Sequence, residues 1–182
     1  MTRQKRKRIF LGCEGESERS YGALIQSFAE EENLNIHIER CVLSGGDPKK
    51  LVYKTINVLK NKKPKLNNDY IAKFVLMDTD RFESKTEFEI TELAENHNIT
   101  LLKQKICFES VLIRHFEPHL DDKPSSSSDA LQKLKKIWPE YEKGLSADEL
   151  NKRIAFKNIK YAAKSKYNNG LKILLKSCGF KI

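Results

Sequence analysis

Four apolar residues, Phe74-Val75-Leu76-Met77, run directly into Asp78-Thr79-Asp80-Arg81. A short, continuous apolar run of this kind reads as a strand buried on both faces. The two carboxylates then stand where the strand ends. In open α/β sheets that is the edge where ligands bind. Alternate residues of an extended chain point the same way, so Asp78 and Asp80 can face one ion together. Hard carboxylate oxygens with positions left open suit Mg²⁺ or Mn²⁺. The plainer alternative is a strand end followed by a solvated turn.

The neighbouring sequence supplies the rest of such a sheet. Arg8 to Cys13 reads as a first strand, and a helix carrying Tyr21, Leu24, Ile25 and Phe28 at helical spacing comes after it. Ile36 to Val42 alternates as a second strand. Asp47 is suited to cap the next helix, with Pro48 at its first position and Leu51, Val52, Thr55, Ile56 and Leu59 turned inward. Tyr70 to Met77 is the third strand, Glu87 to Asn98 a helix, and Ile99 to Leu102 a fourth strand. Cys107 to Phe116 has helical spacing, closed by Pro118. A Ser-rich loop over residues 121–128 precedes helical sequence at Ala130 to Trp138, Ala147 to Lys166 and Leu171 to Cys178. Strand–helix alternation succeeded by helices predicts an α/β core, a mainly parallel sheet flanked by helices, with a helical C-terminal part. The expected layout is a basic arm over 1–7, a core over 8–120, the loop, and a basic helical segment over 129–182.

Charge is distributed unevenly. All 25 acidic residues precede Asn151, so the net charge of +9 resides in residues 151–182. Arg153, Lys157, Lys160 and Lys164 fall on one face of the expected Ala147 to Lys166 helix. Such a stripe fits phosphate-backbone contact with nucleic acid, DNA or RNA, although a solvated basic face is the simpler reading. Tyr161 and Tyr167 lie near enough to stack on unpaired bases. No apolar run approaches membrane-spanning length, so no membrane partner is expected. No secretory signal comes after the basic N-terminus. The four cysteines lack zinc or disulfide spacing, which fits reduced thiols in the cytoplasm.

Three acidic groups stand at element junctions: Glu14 and Glu18 after the first strand, Asp78 and Asp80 after the third, Glu109 past the fourth. If the strands are parallel, these carboxylates converge and repel, and a cation would offset them.

Glu14-Gly15-Glu16-Ser17-Glu18 followed by Asp78-Thr79-Asp80 resembles the Toprim pattern of primases, topoisomerases and nucleases. Cys107-Phe108-Glu109 through Arg114-His115-Phe116 resembles the matching segment of the RloB family. Members of that family are small Toprim-like (Rossmann-like) proteins, often beside an ATPase in phage-defence loci and related to the OLD and AriB nucleases. RloB proteins commonly carry Asn-Pro before Cys-Phe-Glu, where this chain has Lys105-Ile106. The resemblance implies that Glu14 acts as general acid or base and joins Asp78 and Asp80 in holding Mg²⁺. It makes Glu18 and Glu109 the candidates for extra acidic roles around a second ion. Gly15 would let the backbone approach metal or phosphate. Arg81 and Arg114 are candidates for neutralising transition-state charge, with structural ion pairs the alternative.

The expected function is a metal-dependent endonuclease acting on DNA or RNA, tRNA included, with an ABC/AAA-type ATPase as partner and a homodimer among its assemblies. The alternative is a non-catalytic module that binds nucleic acid or the ATPase around a structural metal. His115 lines up with Phe108 and Leu112 and reads as a core histidine. Ser44-Gly45-Gly46-Asp47-Pro48 lacks a P-loop Lys-Ser/Thr and reads as a plain turn.

Overall fold

The computed structural model describes residues 5–62, 70–80 and 84–182. Its strands are β1 (Lys7–Cys13), β2 (Ile36–Val42), β3 (Tyr70–Asp78) and β4 (Thr100–Gln104). They form one sheet in the order β2-β1-β3-β4, and every pair is parallel. Cys13, Val42, Asp78 and Gln104 therefore end on a common edge. Convergence of the carboxylates requires this parallel arrangement, and the fold is the expected α/β, Rossmann-like one. Residues 1–4 of the expected basic arm lie outside the described residues.

Helices cover both faces. On one side lie α1 (Glu16–Glu31) and the later helices α4 (Phe108–Ile113), α5 (Ser127–Ile137), α6 (Ala147–Asn151), α7 (Phe156–Ala162) and α8 (Asn169–Cys178). Their apolar residues form one core with Ile9, Leu11, Phe74 and Leu76. On the other side, α2 (Pro48–Asn61) and α3 (Ser84–Glu95) pack over Phe10, Val75 and Met77. Successive residues of β3 thus point into different cores, which is why its sequence is apolar without alternation. α2 begins as the sequence predicts: the Asp47 side chain accepts from Lys50 N–H at 2.9 Å, with Pro48 next in the chain. Gly170 lets α8 settle on β4, since a Cβ there would lie 3.2 Å from Leu102 Cα.

Three expectations need correction. The helix expected over Ala147 to Lys166 is broken into α6 and α7. Ile154 plunges into the core between them, and the Asn158 side chain accepts from Ala155 N–H at 3.0 Å, starting a new helix. The Ser-rich loop ends early, because Ser126 caps α5 and Ser127 is its first residue. α4 stops at Ile113, and tighter turns from Leu112 to His115 and Ile113 to Phe116 close it. Cys13, Cys107 and Cys178 are buried, Cys41 is half-buried, and all are free thiols. Among the described residues, no helix is long and apolar enough to cross a membrane.

Candidate metal centre

Glu14 comes directly after β1. Its Oε2 accepts from Asp78 N–H and its Oε1 from Gly46 N–H, each at 3.4 Å. The Glu14 carbonyl accepts from Gly45 N–H at 2.9 Å. The Ser44-Gly45-Gly46 turn, with positive φ at all three residues, therefore serves to hold Glu14. Gly15 caps α1 in an extended conformation open to any residue, and a Cβ there would make only ordinary contact. Its N–H donates to Glu18 Oε2 at 3.1 Å, which turns the Glu18 carboxylate back to the start of the helix. Burial raises the Glu18 carboxyl above its ordinary range, and Glu14 and Glu109 add to the rise.

Asp78 ends β3. Its Oδ1 is buried with no hydrogen-bond partner. Burial, then repulsion from Glu18, Glu14, Asp80 and Glu109, pushes this carboxyl up to about 9. The other four acidic residues singled out from the sequence thus all act on Asp78 at this edge. Glu39, on β2 and away from this edge, makes the contrast: burial acts on it too, but bonds from Lys62, Tyr70 and Arg8 outweigh it and hold its carboxyl low. Asp80 is exposed, and its Oδ2 accepts from Ser127 Oγ at 2.7 Å.

The turn carrying Thr79 is clamped from β4's side. The Ile106 carbonyl accepts from both Thr79 and Asp80 N–H at 3.2 Å, and Ile106 N–H donates to Thr79 Oγ1 at 2.9 Å. Ile106 does this with φ of 74°. That conformation costs a β-branched residue on the order of 1–3 kcal/mol. It lies where the chain departs from the Asn-Pro common in RloB proteins.

Glu109 sits in the first turn of α4. It accepts from Tyr141 OH at 3.4 Å and pairs with Lys143 Nζ at 3.1 Å. Burial opposes the charge on Lys143, but Glu109, with help from Asp78, raises its ammonium above the ordinary value. Gly144 N–H donates to Ser17 Oγ at 3.0 Å and pins this loop to α1. Sequence reasoning missed Tyr141 and Lys143. Their only local signal is a Tyr-x-Lys-Gly spacing in a short connection between helices, and it does not name a partner.

Arg114 is buried away from this edge. Its guanidinium donates to the Asp122 carbonyl and to Asn168 Oδ1, both at 2.9 Å, and it stacks on Tyr167. It is a structural residue rather than a transition-state partner. Arg81 lies outside the described residues. His115 is a satisfied core histidine, bonded to Tyr21 OH and the Val111 carbonyl at 2.8 Å each. Breaking the expected basic helix leaves only Lys157 and Lys160 on α7; Arg153 precedes it and Lys164 lies beyond it. Arg153 donates to the Ile137 carbonyl at 3.1 Å, and the Lys160 ammonium lies over the Phe156 ring. Arg153, Lys157 and Tyr161 line one cleft with Phe116 and Ile137.

Among the described residues, no three of His, Cys, Asp and Glu stand close enough to hold one ion by direct bonds. Mg²⁺ does not require three, since it keeps several waters and takes one or two carboxylates. The orphaned Asp78 Oδ1 and the mutual repulsion around it fit that mode of binding.

Fold and edge together define an α/β protein with a parallel sheet and an acidic crest at its strands' carboxyl ends. The family model for RloB-like proteins matches residues 9–174, and the chain belongs to the RloB-like family. No curated protein and no solved structure matches it significantly.

Proposed function

We propose that the protein is a divalent-metal-dependent nuclease of the Toprim type. The observation carrying this reading is Asp78 Oδ1, buried without a partner amid four further carboxylates. Asp78 and Glu14 are the residues to hold Mg²⁺ or Mn²⁺ through oxygen atoms and intervening water, with Asp80, Glu18 and Glu109 as the outer acidic set. The ion, when bound, polarises a phosphodiester and makes a water more acidic near neutral pH. Glu14 then moves the proton of the attacking water or the leaving oxygen. Lys143 offsets the charge that builds on the phosphorus oxygens, a role for which the sequence had offered Arg81 and Arg114. Cytoplasmic phage defence with an ATPase partner completes the reading and rests on the family resemblance. A non-catalytic module is the second reading, favoured by Lys143 already occupying Glu109.

The test is a time course with total tRNA, plasmid and single-stranded DNA in Mg²⁺ and Mn²⁺, beside Asp78→Ala and Glu14→Ala. Metal-dependent cleavage lost in both variants supports the nuclease. Silence of the wild type, persisting with the partner ATPase and nucleotide added, overturns it in favour of the binding module.

A further inference from the structure

A second cleft, of ≈ 390 Å³, opens beside the acidic crest on the β4 side. Thr79, the residue between the two aspartates, lines one wall, and among the described residues Glu87, Lys103, Lys105, Lys166 and Tyr167 line the cleft too. Lys103 lies on β4 and Lys105 just past its end, and both line the cleft. Lys166 and Tyr167 come from the turn between α7 and α8. Among the described residues, three lysines against one glutamate leave the lining positive. Glu87 holds Lys103 at 2.6 Å, which fixes that ammonium against the wall, while Lys105 and Lys166 are exposed.

Beneath the cleft, the Arg114 guanidinium carbon lies 5.2 Å from the Tyr167 ring centroid. Arg114 is fully buried, its hydrogen bonds go to neutral oxygens, and its second terminal nitrogen has no partner. The Asp121 and Asp122 carboxylates offset part of its charge, so the cleft's own cations are the exposed lysines. The positive lining faces a crest of carboxylates that would repel any polyanion. A strand brought to Asp78 and Glu14 needs an adjoining cation path, and this is the path that Thr79 borders.

We infer that this cleft receives the backbone of a single nucleic-acid strand next to the bond presented to the carboxylates. Lys105 and Lys166 take phosphate oxygens, and the Tyr167 ring, with the Lys166 ammonium 5.2 Å from its centroid, packs against sugar or base beside it. The chemistry is that of a single-strand channel, cations along the backbone with an aromatic platform. Its volume is at the low end for a small-molecule site, matched to nucleotide units taken one at a time. The inference deepens the nuclease reading and rests on it for the role of the adjoining carboxylates.

Binding without cleavage tests it. Fluorescence anisotropy is measured in EDTA with labelled single-stranded RNA, single-stranded DNA and duplex DNA of about 12 units, a length within the site sizes of single-strand channels. The variants are Lys105→Glu with Lys166→Glu, Tyr167→Leu, and Lys172→Glu with Lys176→Glu as a charge-matched control on exposed positions of α8. The first pair should weaken single-strand binding about tenfold or more and lower the salt slope by about 1.4, the value for two lost phosphate contacts. Tyr167→Leu should weaken binding at an unchanged slope. The control should bind as wild type does. The RNA and DNA arms identify which strand is preferred. Equal losses in the cleft and control pairs overturn the inference, as do duplex affinity equal to that for single strands and a wild type that binds no strand. Asp78→Asn should bind normally. Cleft-dependent binding with no cleavage under any condition would leave the cleft standing and sink the nuclease.

Discussion

Asp78→Asn should make the protein more stable while abolishing metal-dependent activity. In the fold the Asp78 carboxyl sits at about 9, against an ordinary value of 3.8. Near neutral pH the native state therefore holds a proton that the unfolded chain releases. At about 1.4 kcal/mol per unit over about 3 units, carrying that proton costs at most about 4 kcal/mol at pH 7. Because Glu14, Glu18, Asp80 and Glu109 share the repulsion, an observed gain of about 2 kcal/mol is expected for the amide. The sign comes from the raised native value: the penalty is absent below about pH 4 and grows as pH rises toward 9. Asparagine carries no titrating proton, so the two proteins should match near pH 4 and diverge above it. Urea unfolding in EDTA, monitored by the fluorescence of the single tryptophan, Trp138, buried 5.5 Å from Tyr141, reads the difference. In melting temperature it amounts to about 4–8 °C for a chain of this size. Added Mg²⁺ should stabilise wild type increasingly as pH rises, and the variant hardly at all. A variant no more stable than wild type near pH 8, or a gap constant across pH, would refute the reasoning.

Two further outcomes concern other buried groups. Burial lowers His115 to about 4, so the native state excludes a proton that the unfolded chain accepts below about 6.5. Stability is then lost as pH falls from about 6.5 to 4, by up to about 3 kcal/mol, and His115→Phe should flatten that acid limb while losing about 1–3 kcal/mol near neutrality. An acid limb unchanged in the variant would contradict this. Lys143 is 64% exposed against 5% for Glu109. Lys143→Met takes the paired ammonium from the buried Glu109 carboxylate, leaving it Tyr141, and should cost about 1–3 kcal/mol of stability, while lowering cleavage by about a hundredfold, with partial recovery of both in Lys143→Arg; unaltered single-turnover cleavage would remove Lys143 from the site.

Much of the fold was legible because its signals are local. The apolar run of β3 reports two covered faces, and Asp47-Pro48 starts α2 through bonds within one turn. The acidic residues were legible as a group because they cluster near strand ends and all strands run the same way. Direction itself had no local signal; it became visible only in the pairing. The C-terminal breaks were hidden for a related reason. Periodicity continues through Ile154, and only its burial against the core and the Asn158 bond distinguish two helices from one. Lys143 was hidden most completely, since its meaning is a contact with Glu109 across the intervening α5. Arg114 was left open between two roles, because its place is set by Asn168 and Tyr167, far along the chain.

The late arrival of Tyr141, Lys143 and Ser127 at the acidic edge bears on the protein's own synthesis. A ribosome has made all five carboxylates by residue 109, yet the ammonium that answers Glu109 and the hydroxyl that fixes Asp80 emerge later. The core joining β1 and β3 to α8 closes later still, after Phe180. On the nuclease reading, a nascent or prematurely ended chain is born with its cutting edge unfinished.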